Sequence, residues 1–126
     1  MILLLDTSII IDLENGIKNT LEKLESIRGS YPDVPKVSFM TYFEFIDGIR
    51  NKQPHNRQKA LAFIENFDVL QTTKNTAGIL SSLKEKYGDV SFSDLFIAAQ
   101  AIENNMMLAT KDKDFDKIKE INKIII

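Results

Sequence analysis

Short apolar runs alternate along this chain with longer segments whose apolar residues recur at helical spacing. Residues 2–5 are continuously apolar and stop at Asp6, the pattern of a strand buried on both faces of a parallel sheet. Residues 8–14 read as a short helix. Over 17–28, Ile17, Leu21, Leu24 and Ile27 fall on one helical face with Lys and Glu between them. Gly29 through Pro35 reads as a loop, and Lys36 to Met40 as a second short strand. Thr41 followed by Glu44 has the spacing of a capping box, so a helix is expected to begin there. Pro54 opens another helix, bearing Leu61 and Ile64. Asp68 to Thr72 is a third strand and 75–87 a helix carrying Ile79, Leu80 and Leu83. Ser93 is the expected cap of a helix from Asp94 to about Asn104. Met107 to Thr110 is a fourth strand, and Ile124 to Ile126 a terminal edge strand.

Strands alternating with helices predict an α/β domain with a mostly parallel central sheet flanked by helices. In such sheets the functional crevice lies beyond the carboxyl ends of the strands, and the acids of this chain fall there. Asp6 follows the first strand directly, and Asp112 follows the fourth after one residue. Glu44 and Asp94 are expected in the first turns of their helices. Each has a plain structural reading. Glu44 and Asp94 suit a helix start, where the macrodipole favours an anion. Asp112 lies in Lys111-Asp112-Lys113-Asp114, which reads as solvated loop. Asp6 is harder to place, because an acid ending a buried strand is costly unless paired, hydrogen-bonded or metal-bound. The helix from Asp94 is apolar nearly all round (Leu95, Phe96, Ile97, Ala98, Ala99, Ala101, Ile102), so it is expected to be buried and to hold its acid rigidly.

Composition narrows the chemistry. A length of 126 residues suits one domain with one core, 1–126. With 44% hydrophobic and 27% charged residues the chain has the profile of a globular protein, not a disordered one. It has no cysteine, which rules out disulfides, thiolate sites and cysteine nucleophiles, and a single histidine, His55, which speaks against zinc. No apolar run reaches the length of about 18–20 residues that spans a bilayer. The opening Met1 to Leu5 has neither a basic stretch before it nor a cleavage site after it, so a strand is expected there, not a signal peptide. The expected location is the cytoplasm. A net charge of -2 does not announce a nucleic-acid binder, so such a reading must rest on local basic surface and on cations that offset the acids. Crowded carboxylates repel one another unless cations intervene, and hard oxygen donors suit Mg²⁺, with Mn²⁺ tolerated. Metal-assisted phosphodiester hydrolysis needs neither Cys nor His.

Four segments carry a family resemblance. They are Leu3-Leu4-Leu5-Asp6-Thr7-Ser8, then Ser38-Phe39-Met40-Thr41-Tyr42-Phe43-Glu44-Phe45-Ile46-Asp47-Gly48, then Asp94-Leu95-Phe96-Ile97-Ala98-Ala99-Gln100-Ala101, and Leu108-Ala109-Thr110-Lys111-Asp112-Lys113-Asp114-Phe115. In order and spacing they resemble the PIN-domain nucleases, especially the VapC-like toxins of type II toxin–antitoxin pairs, and they span nearly the whole chain. The resemblance implies a three-layer α/β PIN-like domain and Mg²⁺- or Mn²⁺-dependent endoribonuclease activity, commonly on tRNA or other structured RNA. It also implies a homodimer and a small antitoxin partner. Position by position, Asp6, Glu44 and Asp94 match the three metal-holding acids and Asp112 the fourth. Asp114 and Asp116 are also available for that fourth place, and Asp114 could instead fix the loop or cap the next short turn. Ser8 and Thr110 match small polar residues that position an acid or a water.

Arg50, Lys52, His55, Arg57 and Lys59 form a basic run, and Lys111 and Lys113 flank the proposed site. They are candidate RNA phosphate contacts, against a plain reading as solvated surface. Of the aromatics Phe39, Tyr42, Phe43 and Phe45, consecutive on one helix, some must be core and some exposed, and an exposed subset could receive a partner's helix or tail. A phosphoaspartate protein is a rival reading, because Asp6 ends a strand. The haloacid-dehalogenase type wants a second Asp two residues on, where this chain has Ser8, and the layout of a receiver domain is not found. The same four segments would also suit a PIN-type RNA-processing nuclease without an antitoxin, or a PIN-like fold kept only for binding.

Overall fold

A computed structural model describes residues 1–126. Five parallel strands form one sheet in the order β3-β2-β1-β4-β5, with β1 at Leu3–Leu5, β2 at Lys36–Val37, β3 at Asp68–Val69, β4 at Met107–Thr110 and β5 at Asn122–Ile125. Six helices connect them: α1 Thr7–Glu14, α2 Lys18–Ile27, α3 Phe39–Ile49, α4 Pro54–Ile64, α5 Lys74–Lys86 and α6 Phe92–Glu103. A 3₁₀ turn, Lys113–Lys117, links β4 to β5.

The centre of the sheet follows from its sequence. Leu3, Leu4 and Leu5 are all buried, and successive side chains serve opposite faces. Leu4 joins a core with Leu83, Leu95, Ile97, Leu108 and Phe115, on the side of α5, α6 and the 3₁₀ turn. Leu3 and Leu5 join a second core with Ile9, Ile10, Phe45, Ile49 and Ile64, on the side of α1, α3 and α4. The result is three layers, with helices on both faces of the sheet, as the strand–helix alternation predicted. Each fully buried Leu or Ile contributes about 1.5–3 kcal/mol, so β1, shared by both cores, is the element whose disruption would cost most. Helix α6 is buried as its apolar circumference predicted, with Leu95, Ile97, Ala98, Ala99, Gln100 and Ala101 all enclosed.

Several boundaries differ from the expected ones, for local reasons. The second strand stops at Val37, because Ser38 caps α3 by accepting from Met40 N at 3.0 Å. No capping box forms at Thr41 and Glu44. Thr41 is buried, and Glu44 lies in the second turn of α3. Ser91, not Ser93, caps α6 and accepts from Asp94 N at 3.3 Å, so Asp94 is the third helical residue and not the first. The third strand is two residues long, and the last begins at Asn122, where parallel pairing with Met107 starts.

Gln100, fully buried among Ile97, Ala98, Ala99 and Ala101, ties three elements together. Its Oε1 accepts from Ser38 Oγ at 2.7 Å and from Phe39 N at 2.8 Å. Its Nε2 donates to the carbonyls of Leu70 at 3.5 Å and Gln71 at 3.2 Å. The amide thereby fixes the β2–α3 junction and the end of β3 against α6. Replacing it by a similarly shaped apolar side chain strands buried partners, each costing about 1–3 kcal/mol. Gln100→Met is therefore expected to lower the unfolding free energy by roughly 3 kcal/mol in urea titrations. A loss under roughly 0.5 kcal/mol, the ordinary surface range, would mean that the amide ties nothing.

Candidate functional site

The carboxyl ends of β1 and β4 lie side by side at the middle of the sheet, and the predicted acids gather there. Asp6 ends β1. Its backbone N donates to the Ala109 carbonyl at 3.0 Å, and its own carbonyl accepts from Ile9 and Ile10 as α1 begins. It stands at the N-cap of α1, yet its carboxylate makes no cap bond. Oδ2 accepts instead from Thr110 Oγ1 at 2.7 Å and Ser8 Oγ at 3.0 Å. Those hydroxyls are held in turn: Asp112 N donates to Thr110 Oγ1 at 3.0 Å and Lys111 N to Ser8 Oγ at 3.3 Å. One chain of hydrogen bonds thus joins Asp6 to the loop that carries Asp112, through the two small polar residues singled out in the sequence.

Glu44 reaches the site from the second turn of α3. Its Oε1 accepts from Thr7 Oγ1 at 2.7 Å, and that hydroxyl lies 3.1 Å from the buried Thr41 hydroxyl. Asp94 projects from the first turn of α6. A carboxylate oxygen of Asp94 lies within 4.8 Å of one on Asp112 and of one on Asp114. Asp112 Oδ1 also accepts from Asp114 N at 2.9 Å, so Asp112, not Asp114, caps the 3₁₀ turn. Asp6, Glu44 and Asp116 stand outside this grouping, and Asp116 faces Lys123 at 3.9 Å.

The electrostatics bear the marks of crowding. Burial pushes the Asp6 carboxyl above its ordinary value of 3.8, with a further push from the Asp112 charge, and the hydrogen bonds from Thr110, Thr7 and Ser8 offset this only in part. Asp94 is pushed up to about 6, first by burial, then by the charges of Asp112 and Asp6 and, more weakly, of Glu44, against a lowering hydrogen bond from Ser91. Asp94 therefore feels acids from three other segments of the chain. Oxygen donors alone, clustered and mutually repelling, make a set that fits a hard divalent cation.

The predicted basic residues are placed less uniformly. Arg50 pairs with Asp47 at 3.3 Å, Lys52 with Glu14 at 3.4 Å, and Arg57 donates to the Arg50 carbonyl at 3.3 Å. Lys111 is bonded to Asp12 at 2.6 Å, whereas the exposed Lys113 forms no ion pair. Phe39 and Phe43 are exposed and Phe45 is core, the mixture expected of consecutive helical positions. Thr7 was not singled out in the sequence as the residue that orients Glu44. The available signal was a hydroxyl at the first position of a helix that opens on an acid.

Comparison with known proteins gives a consistent result. The PIN domain family model matches residues 3–121. Among solved structures, VapBC2 from Rickettsia felis, bound to a DNA fragment from its promoter, superposes with a TM-score of 0.84 at 20% identity, covering 100% of this chain and 99% of that one. VapBC-1 from nontypeable Haemophilus influenzae gives 0.79 at 25% identity, covering 99% and 98%. A toxin–antitoxin complex from Klebsiella pneumoniae gives 0.77 at 25% identity, covering 98% of each. No curated protein matches the chain.

The Asp94 shift has a consequence for stability. Between about pH 4 and 6 the folded, metal-free protein holds a proton that the unfolded chain has released, so stability falls as pH rises through that interval. Asp94→Asn removes the repulsion. It is expected to flatten the profile and to raise the metal-free Tm at pH 7.5 by roughly 4 °C, about 1 kcal/mol once the half-exposure of the carboxyl is discounted. Thermal melts across pH in a chelator test this, and an Asn variant that melts no higher than the parent at pH 7.5 would refute it.

Proposed function

This chain belongs to the PIN-domain family, and from that premise we propose that it is a Mg²⁺- or Mn²⁺-dependent endoribonuclease acting as the toxin of a toxin–antitoxin pair. The observation that carries the reading is the approach of the Asp94, Asp112 and Asp114 carboxylates to within 4.8 Å of one another, with the charges of Asp6 and Glu44 close enough to act on Asp94. Asp6 is buried with no cationic side chain bonded to it. Such an arrangement is unfavourable in isolation, and a bound divalent ion relieves it. The solved complexes that share the fold, VapBC pairs among them, support the toxin role and a small antitoxin protein as partner.

Asp6, Glu44, Asp94 and Asp112 would hold the ion, with Asp114 close enough to Asp94 to share in it. Bound there, the ion supplies Lewis-acid activation of water and neutralises charge at the phosphodiester. The remaining work falls to the chain. Thr110 and Ser8 hold Asp6 Oδ2 in one orientation, Thr7 does the same for Glu44 Oε1, and the buried body of α6 fixes Asp94. These groups are organised before substrate arrives, so little reorganisation is required during reaction. Lys113, exposed between Asp112 and Asp114, is free to meet a backbone phosphate, a contact that positions RNA without reading its sequence. Two concavities, of 280 and 310 Å³, lie elsewhere and do not include the acids at Asp6, Asp94 or Asp112.

The test is cleavage of a panel of cellular RNAs, tRNAs included, by protein freed of any partner. With Mg²⁺ or Mn²⁺, discrete products are expected, and EDTA should abolish them. Asp6→Asn and Asp94→Asn should each lower the rate by about a hundredfold or more, the effect expected when a metal ligand is lost. Folded variants cutting at the parent rate would sink the proposal. The gene beside it should encode a small protein that co-purifies and suppresses cleavage.

A further inference from the structure

Lys111 precedes Asp112 directly, and a free ammonium there would be an obvious phosphate contact. Its placement argues for another role. Nζ lies 2.6 Å from Asp12 Oδ2. The Asp12 side chain is only 13% exposed, and the same oxygen accepts from the buried Thr20 hydroxyl at 2.6 Å. Asp12 is on α1 and Thr20 on α2, so the acceptor is braced from two helices before the lysine arrives. Lys111 and Thr20 together hold the Asp12 carboxyl below its usual range.

The backbone of Lys111 is engaged as well. Its N–H donates to Ser8 Oγ, which donates to Asp6 Oδ2, and the next N–H, that of Asp112, donates to the Thr110 hydroxyl bonded to the same oxygen. The loop after β4 is therefore held at two places: at its backbone by the hydroxyls around Asp6, and at its first side chain by Asp12. This loop brings Asp112 towards Asp6 and Asp94, whose charges repel it. An attachment anchored outside the acidic cluster opposes that repulsion without engaging any carboxylate of the cluster.

We propose that Asp12 and Lys111 form a latch that positions the Asp112 loop against Asp6 for metal binding, and that the Lys111 ammonium is not an RNA phosphate contact. The proposal rests on the metal-site reading given above. It makes Asp12, Thr20 and Lys111 positioning residues, remote from the reacting atoms.

The experiment is Mn²⁺ binding to the full-length protein without RNA, followed by calorimetry and by the electron paramagnetic resonance of free Mn²⁺, together with salt-dependent RNA binding. Asp12→Asn and Lys111→Met should each weaken Mn²⁺ binding about tenfold, the lower end for residues that orient ligands. The double variant should be no worse than either single one, and Lys111→Arg, which keeps the ion pair, should retain most of the affinity. Circular dichroism and melts should show all variants folded. Asp94→Asn serves as the control for direct loss of a ligand. If Lys111→Met left Mn²⁺ affinity unchanged while weakening RNA binding and flattening its salt dependence, Lys111 would be a phosphate contact and the latch would be wrong. Additive losses in the double variant would also overturn it. If the parent itself bound no Mn²⁺, the metal-site reading would fail and the latch with it. Parental binding with variants equal to the parent would defeat the latch alone.

Discussion

A carboxylate buried at the end of the central strand is the constraint around which the structure is arranged. Asp6 is 4% exposed, near enough to Asp112 and Asp94 for their charges to interact, and burial raises its proton affinity. A charge in that position is tolerable only with donors close at hand, and the fold supplies them by placing β4 beside β1 in parallel register, which delivers Thr110 to Oδ2. The same pairing brings in Asp112. The sheet order that satisfies one acid therefore also creates the repulsion among several, and both follow from a single strand pairing.

The hydroxyls around these acids share one logic. Ser8, Thr110 and Thr7 each donate one proton to a carboxylate oxygen, and Ser8 and Thr110 use their oxygens to receive a backbone N–H of the loop after β4. None of them carries charge, so they orient the acids without neutralising them. A lysine or arginine in the same places would quench the charge that a divalent ion requires. Lys111, which precedes Asp112 directly, is bonded to Asp12 instead.

How much could be read beforehand depended on whether a signal was local. Leu3 to Leu5 announced a doubly buried strand by having no polar position, and α6 announced its burial in the same way. The acids at strand ends were visible because parallel α/β sheets gather those ends on one edge. The caps were misread where two hydroxyls competed: Ser38 and Ser91 prevail over Thr41 and Ser93, since Thr41 is drawn into the core and Ser38 is held by Gln100. Gln100, Thr7 and Asp12 act through partners 61, 37 and 99 residues away, and no window of sequence contains such a pairing. The polar amide amid Ile97, Ala98, Ala99 and Ala101 was a signal of sorts, but its partners could not be named without the fold.

The pairing of β1 with β4 also has a timetable. Asp6 leaves the ribosome well before Thr110, its donor across 104 positions. Contacts so distant in sequence form only after the loop between them closes. A nascent chain carrying Asp6, Glu44 and even Asp94 thus lacks the strand that holds the first acid and the loop that supplies the fourth. The assembled carboxylate cluster cannot exist until β4 and the loop after it have been made, so the order of synthesis itself delays it.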